Sequence, residues 1–201
     1  MKKFTTINEA YSEQWLDSES RRLIVEKLKN ALKEELNAWY GYIIVKEFLV
    51  GLHKPEIVKL YEDTAKDELE DHAYWLMKRI SELDGTIEDI TASPASWLTA
   101  THTYEAPKWS GKYSQQSVVD GEGDPVIDIL DSLLLNVKNE MGAIETYREL
   151  IEIATVSRDY TTEKKCKEIL ADEEEHLQLL QDMLDDIVGT RNEMNPKIHK
   201  N

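Results

Sequence analysis

Glu35 and Glu68 stand 33 residues apart, Glu140 and Glu173 also stand 33 apart, and the second pair is displaced from the first by 105 residues. A histidine follows the later carboxylate each time, His72 after Glu68 and His176 after Glu173. Ala38 and Ala143 lie three residues after Glu35 and Glu140, and Tyr42 and Tyr147 lie seven after them. Positions seven apart share one helix face two turns on. The pattern therefore describes one helical hairpin present twice, with a carboxylate on its first helix and a carboxylate and imidazole on its second.

The apolar residues carry four helices. Leu23, Val25, Leu28, Leu32, Leu36, Trp39, Ile43 and Phe48 recur at helical spacing from Ser18 or Ser20 to a stop near Gly51. A second stretch opens at Pro55, runs through Ile57, Leu60, Ala65, Leu69, Leu76 and Ile80, and is capped at Gly85. Residues 86–124 break the pattern with Pro94, Pro107, Gly111, Gly121 and Gly123, and read as a long crossover with a short helix around Ser96–Thr101. Asp124 and Pro125 read as the N-cap and first turn of a third helix carrying Ile129, Leu133, Leu134, Val137, Met141, Ile144, Leu150 and Ile153. The fourth starts near Asp159–Thr162, carries Ile169, Leu170, Leu177, Leu180, Leu184 and Ile187, and stops at Gly189. Only 8 Gly and 5 Pro occur in 201 residues, which favours a few long helices over many strands. The expected fold is an all-α four-helix bundle over 18–188 with the crossover between its second and third helices, an N-terminal arm at 1–17 and a polar tail at 189–201.

Charge and cysteine content narrow the function. With 40 acidic and 24 basic residues the net charge is −16, which argues against nucleic acid and anionic membranes and favours cations. The single Cys166 excludes an internal disulfide framework and any CxxC motif, and suits a reducing cytosol. Lys2 and Lys3 precede no apolar stretch of signal-peptide type, and no run approaches membrane-spanning length, so a cytoplasmic location is expected.

Two carboxylates and one imidazole per hairpin suit a divalent metal, and the mix of hard oxygen and borderline nitrogen donors favours iron or manganese. Four Glu match the charge of two divalent ions, whereas bare carboxylates in a core would be costly or would protonate. One Glu-x-x-His on so acidic a helix is weak evidence; the repeated 33-residue separation carries the assignment. The candidate ligands are Glu35, Glu68, His72, Glu140, Glu173 and His176. Tyr42 and Tyr147 read either as core aromatics or as donors of a hydrogen bond or electron beside a redox metal. Trp39 and Trp75 read as packing residues, and His53, His102 and His199 fall in loops or the tail.

These residues resemble the site of the ferritin-like superfamily, in which two helices give one Glu each and two others give Glu-x-x-His. Glu35 and Glu140 match the single Glu positions, Glu173 with His176 matches one Glu-x-x-His, and Tyr42 matches a Tyr often found beside the iron site. The other motif departs from the family: Leu69, not Glu, lies three before His72, as if one residue were inserted between Glu68 and His72. A helix absorbs such an insertion as a π-bulge, expected around Leu69–Asp71, with Asp71 as a further candidate ligand.

The resemblance is nearest to Dps-like mini-ferritins with a bacterioferritin-type site, since Thr190–Asn201 is short for the fifth helix of larger cages. It implies a homo-oligomeric, hollow dodecamer. Two Fe(II) per subunit would be oxidised by hydrogen peroxide or dioxygen, with Fe(III) stored inside. Leu69 stands where bacterioferritins carry a haem-ligating Met, so no haem is expected. A cysteine pair, found in some relatives, is absent. The alternatives are a non-storage iron or manganese peroxidase or catalase-like enzyme, and a DNA-binding Dps-type protein, which the net charge opposes.

Overall fold

A computed structural model describes residues 16–51, 53–91 and 127–194. Helix α1 spans Ser18–Phe48. It starts there because the Asp17 carboxylate accepts the N–H groups of Glu19 and Ser20 at 3.1 and 3.0 Å, satisfying two otherwise orphaned donors. Strand β1, Leu49–Val50, follows directly and pairs in parallel with β2, Ile127–Asp128. The second rod is continuous but not uniform: α2 (Lys54–Asp67, with Pro55 in its first turn), a π-helical segment (Glu68–Ala73) and α3 (Tyr74–Glu82). Among the described residues, the short α4, Glu88–Thr91, lies between α3 and β2. Helices α5 (Ile129–Ser157) and α6 (Tyr160–Met194) form the second hairpin.

Ion pairs and β pairing set the directions. Arg21 meets Asp84 at 3.5 Å, so the second rod ends beside the start of α1. The β1–β2 pairing puts the start of α5 beside the end of α1. The second rod thus ends at one end of the bundle and α5 starts at the other; the rest of 86–124, the short helix expected around Ser96–Thr101, Asp124–Pro125, His102 and His199 lie outside the described residues. Helix α5 has a different cap from the expected one. Asp128 Oδ1 accepts the Leu130 N–H at 2.8 Å, because residues 127 and 128 are extended by their pairing with β1.

Two further expectations are corrected. Gly85 does not supply the left-handed residue that ends α3; Asp84 does, at φ 59°. The Gly85 N–H returns to the Ile80 carbonyl at 2.9 Å and that of Asp84 to Ser81 at 3.2 Å. Glycine is needed for close approach: a Cβ there would stand 2.7 Å from Val25 Cγ1 and 3.0 Å from the Ile80 carbonyl oxygen. Gly189 does not stop α6, which runs through it to Met194. A glycine inside a helix costs only ~1 kcal/mol and leaves the hydrogen-bond ladder intact.

The core forms two apolar clusters along the bundle. Leu28, Leu32, Leu76, Ile80, Leu150 and Ile169 lie in one, and Val45, Leu49, Ile57, Tyr61, Leu133 and Leu180 in the other. Several apolar residues of the sequence pattern fall outside them. Leu23, Ile43 and Phe48 on α1 are more than a third exposed, and Leu134 and Met141 on α5 are half exposed. These helices carry apolar side chains on two faces, and the inward face belongs to residues such as Ile24, Ala31 and Tyr42. At the second hairpin, the Asp159 carboxylate caps α6 through the Thr162 N–H (3.1 Å) and takes the Arg79 guanidinium at 2.7 Å, clamping α3 to that turn.

Gly85→Ala is expected to lower unfolding stability by about 1–3 kcal/mol, the usual cost of overpacking. Urea denaturation would check this, with a shifted midpoint at unchanged slope.

Candidate metal centre

The six polar residues singled out in sequence meet at one place, between the two apolar clusters. Glu35 comes from α1, Glu68 and His72 from the π-segment, Glu140 from α5, and Glu173 and His176 from α6; all six are at least 95% buried. They make two overlapping sets. Glu35, Glu68, His72 and Glu173 bring ligand atoms within 4.8 Å of one another, and so do Glu68, Glu140, Glu173 and His176. Glu68 and Glu173 belong to both. Each set adds one carboxylate and one imidazole of its own, and the two imidazole centroids are 6.0 Å apart.

The π-segment makes this possible. His72 lies four positions after Glu68, against three from Glu173 to His176, and the wider turn absorbs the extra residue. His72 Nδ1 then lies 3.0 Å from Glu68, 3.1 Å from Glu173 and 3.4 Å from Glu35. Asp71 turns outward, half exposed, and takes Lys165 Nζ at 2.8 Å. It also neighbours His72 and Asp172, but outside the two four-residue sets.

Three features were not read from the sequence. Each imidazole turns Nδ1 inward and Nε2 toward an aspartate of the opposite half: His72 to Asp172 at 3.4 Å, His176 to Asp67 at 3.6 Å. Asp67 and Asp172 each directly precede a shared glutamate and obey the 105-residue offset, the signal that would have found them. Such outer partners hold a ligating imidazole in one orientation. The tyrosines are exchanged between halves. The Tyr42 hydroxyl donates to Glu140, and the Tyr147 hydroxyl donates to Glu35. Tyr42 also packs on Tyr61 with ring centroids 4.9 Å apart. Finally, a cavity between α1 and α5 reaches the carboxylates.

The electrostatics fit a pair of divalent ions. Burial, then the neighbouring Glu68, drives Glu35 well above the usual carboxylate range; burial, then Glu173, does the same for Glu140. Burial also works against ionised Glu68 and Glu173, but hydrogen bonds and imidazolium charge outweigh it and hold both below that range. Burial opposes charge on the imidazoles too, yet the carboxylates raise His72 far above the ordinary histidine value and His176 to about 12. Metal-free, the cluster therefore favours charge on the two imidazoles and on Glu68 and Glu173, and disfavours it on Glu35 and Glu140. Glu173 Oε1 and Glu68 Oε1 are buried and meet the Nδ1 atoms of His72 and His176 at 3.1 and 3.5 Å without an aligned hydrogen bond, an arrangement that a buried cation would relieve. Cys166 is buried, and burial pushes its thiol up to about 12, so it is no ready nucleophile or ligand. Trp39 and Trp75 pack against the apolar clusters, and His53 precedes α2, away from both four-residue sets.

The fold and this cluster define a class. The chain belongs to the ferritin-like domain family, whose domain matches residues 25–189. A bacterioferritin-related protein of Bacteroides fragilis, described as a dodecameric thioferritin, is 29% identical, with a TM-score of 0.72 over 94% of this chain and 95% of that one. A ferritin-like diiron-carboxylate protein of Bacillus anthracis is 20% identical, with a TM-score of 0.61 over 83% of this chain and 99% of that one. A Dps homologue of Halobacterium salinarum is also 20% identical, with a TM-score of 0.68 over 84% and 82%. These last two likenesses concern the fold alone. None of the curated proteins matches the chain. No described helix is long and apolar enough to cross a membrane.

Two measurements follow. Divalent ions favour the ionised forms of Glu35 and Glu140 and the neutral forms of His72 and His176, whereas the metal-free site favours the protonated forms. Binding therefore releases protons, so affinity rises with pH and falls as acid is added; a pH-stat titration of metal-free protein is expected to record proton release as the ions are added. Asp67→Asn and Asp172→Asn are each expected to weaken metal binding roughly 10–100-fold while leaving helicity unchanged, as measured by calorimetry and circular dichroism.

Proposed function

We propose that the protein is a ferroxidase that takes up two Fe(II) per subunit, oxidises them with hydrogen peroxide or dioxygen, and passes Fe(III) to a store inside a homo-oligomeric cage in the cytoplasm. The observation that carries this reading is the pair of ligand sets sharing Glu68 and Glu173, buried and charge-balanced for two divalent ions.

Iron here is substrate. Glu68 and Glu173 belong to both ligand sets and would bridge or chelate the ions. Glu35 and His72 complete one position, Glu140 and His176 the other. Two Fe(II) supply the two electrons that, with two protons, turn one peroxide into two waters. The protein's part is to hold both donors side by side in a water-poor core, where fixed carboxylates stabilise the added charge of Fe(III). Tyr42 and Tyr147 donate hydrogen bonds to Glu140 and Glu35, the carboxylates found in only one set each. They hold those carboxylates in place, and Tyr42 lies at hydrogen-bond reach of the site for electron donation. Manganese would find the same donors suitable, so the metal is decided by measurement. The cage is supported by the likeness to the dodecameric B. fragilis protein.

Anaerobic Fe(II) titration followed by a peroxide pulse is the test. Two equivalents per subunit are expected to bind and to oxidise rapidly. Glu35→Ala and Glu140→Ala are expected to lose the fast phase, and size exclusion to show a shell rather than a dimer. Absence of stoichiometric Fe(II) binding would end this reading.

A further inference from the structure

A surface groove lies between α3 and the start of α6, outside both four-residue sets. It holds about 370 Å³ and is lined by Trp75 from α3 and by Tyr160, Thr161, Lys164, Lys165 and Glu168 from α6. Small-molecule sites typically hold roughly 300–1,000 Å³.

Its lining is unlike the rest of this acidic chain. Two ammonium groups face one carboxylate, in a protein of net charge −16. Glu168 approaches each lysine only at 3.7 Å, in exposed pairs of a kind that contribute little. Lys165 is held in place by Asp71 at 2.8 Å, while Lys164 is 82% exposed and can follow a ligand. Tyr160 is 67% exposed, so its ring is open to contact from outside. Trp75 has two roles. It lines the groove, and it packs against the apolar cluster that holds Ala73, Tyr147 and Cys166. It also stands three positions after His72 on the same rod. The indole therefore forms part of the wall between the groove and the core beside the metal centre.

We propose that this groove binds a flavin nucleotide, and that electrons from its reduced form enter the protein through Trp75. Trp75 and Tyr160 offer π-faces to a flat ring system. Lys164, Lys165 and the Thr161 hydroxyl offer donors to a phosphate, whose hydrogen bonds to ammonium groups are charge-assisted. The electron role rests on the ferroxidase reading above. Fe(III) placed in a store is recovered as Fe(II) only when one electron arrives for each ion. A reduced flavin carries two electrons and two protons. Passing one electron to each of two Fe(III), it leaves as oxidised flavin with two Fe(II) and two protons released. A ligand that is flat, anionic and redox-active thus suits the lining and the chemistry together.

Flavin mononucleotide is the probe, followed by its fluorescence on titration with metal-free protein. Saturable binding of one molecule per subunit is expected, weakening as salt is added. Riboflavin, which lacks the phosphate, is expected to bind several-fold more weakly. Tyr160→Ala and Lys164→Glu alter exposed side chains, so the fold is retained, as circular dichroism would check; each is expected to weaken binding several-fold. No saturable binding, or binding unchanged in both variants, would overturn the site. Riboflavin binding as tightly as the nucleotide would remove the lysines from it. Inorganic phosphate competing equally well with wild type and with Tyr160→Ala, while riboflavin fails to compete, would make it a plain oxyanion site and sink the proposal. The electron route is read separately, from the rate at which reduced flavin mononucleotide reduces protein-held Fe(III). Trp75→Phe keeps a ring in the groove and is expected to bind the nucleotide normally but to slow that reduction several-fold; an unchanged rate would refute the route. Because the binding titration uses metal-free protein, a failure to bind Fe(II) would end the ferroxidase reading and the electron role without touching the nucleotide result.

Discussion

Four carboxylates and two imidazoles buried in one layer are the constraint on which the rest of the molecule depends. Isolated charges in such a layer would cost several kcal/mol each. Here the layer is made tolerable by pairing. Two carboxylates face two imidazoles, burial and like charge oppose ionisation of the other two, and two tyrosines cross between halves to bond that second pair. Apolar clusters on both sides keep water out, which raises the cost of any unmatched charge and strengthens each pairing. Divalent ions would replace protons in the same balance.

Long rods follow from that requirement. The ligands sit near the middle of each helix, and apolar turns on both sides hold them in register. The ends are secured by polar devices: Asp17 at α1, Asp128 at α5, and Asp159 with Arg79 where α3 meets the second hairpin. The halves keep a common register at Glu35 and Glu140, Ala38 and Ala143, Tyr42 and Tyr147, Asp67 and Asp172, and Glu68 and Glu173. They diverge at the histidine, where the first half needs a π-segment to aim His72 as His176 is aimed. They diverge again where Tyr61 stands at the same register as Cys166, so Tyr42 has a second phenol against its ring where the matching position beside Tyr147 holds a thiol.

Much of the site was legible because its residues are chemically out of place. A Glu on the inward stripe of a helix announces itself, and a repeated 33-residue spacing does so twice. Even the π-segment could be placed, since one surplus residue between two ligands has few ways to be absorbed. The aspartates behind the imidazoles were not seen, because Asp67 and Asp172 sit among many surface acids and only spatial proximity distinguishes them. The apolar stripe was read too broadly for a similar reason: Leu134 and Met141 have the spacing of core residues, and only packing reveals that they face out.

The amino-acid sequence by itself determined four helices, their pairing into two equivalent hairpins and the six side chains that meet, because periodicity and spacing are local and repeat. Tertiary structure decided the rest. It showed that each tyrosine serves the other half's glutamate, and that Glu68 and Glu173 belong to both ligand sets while Glu35 and Glu140 each belong to one. Those facts depend on how separate helices face one another across the core, a relation between distant residues that no single stretch of chain contains.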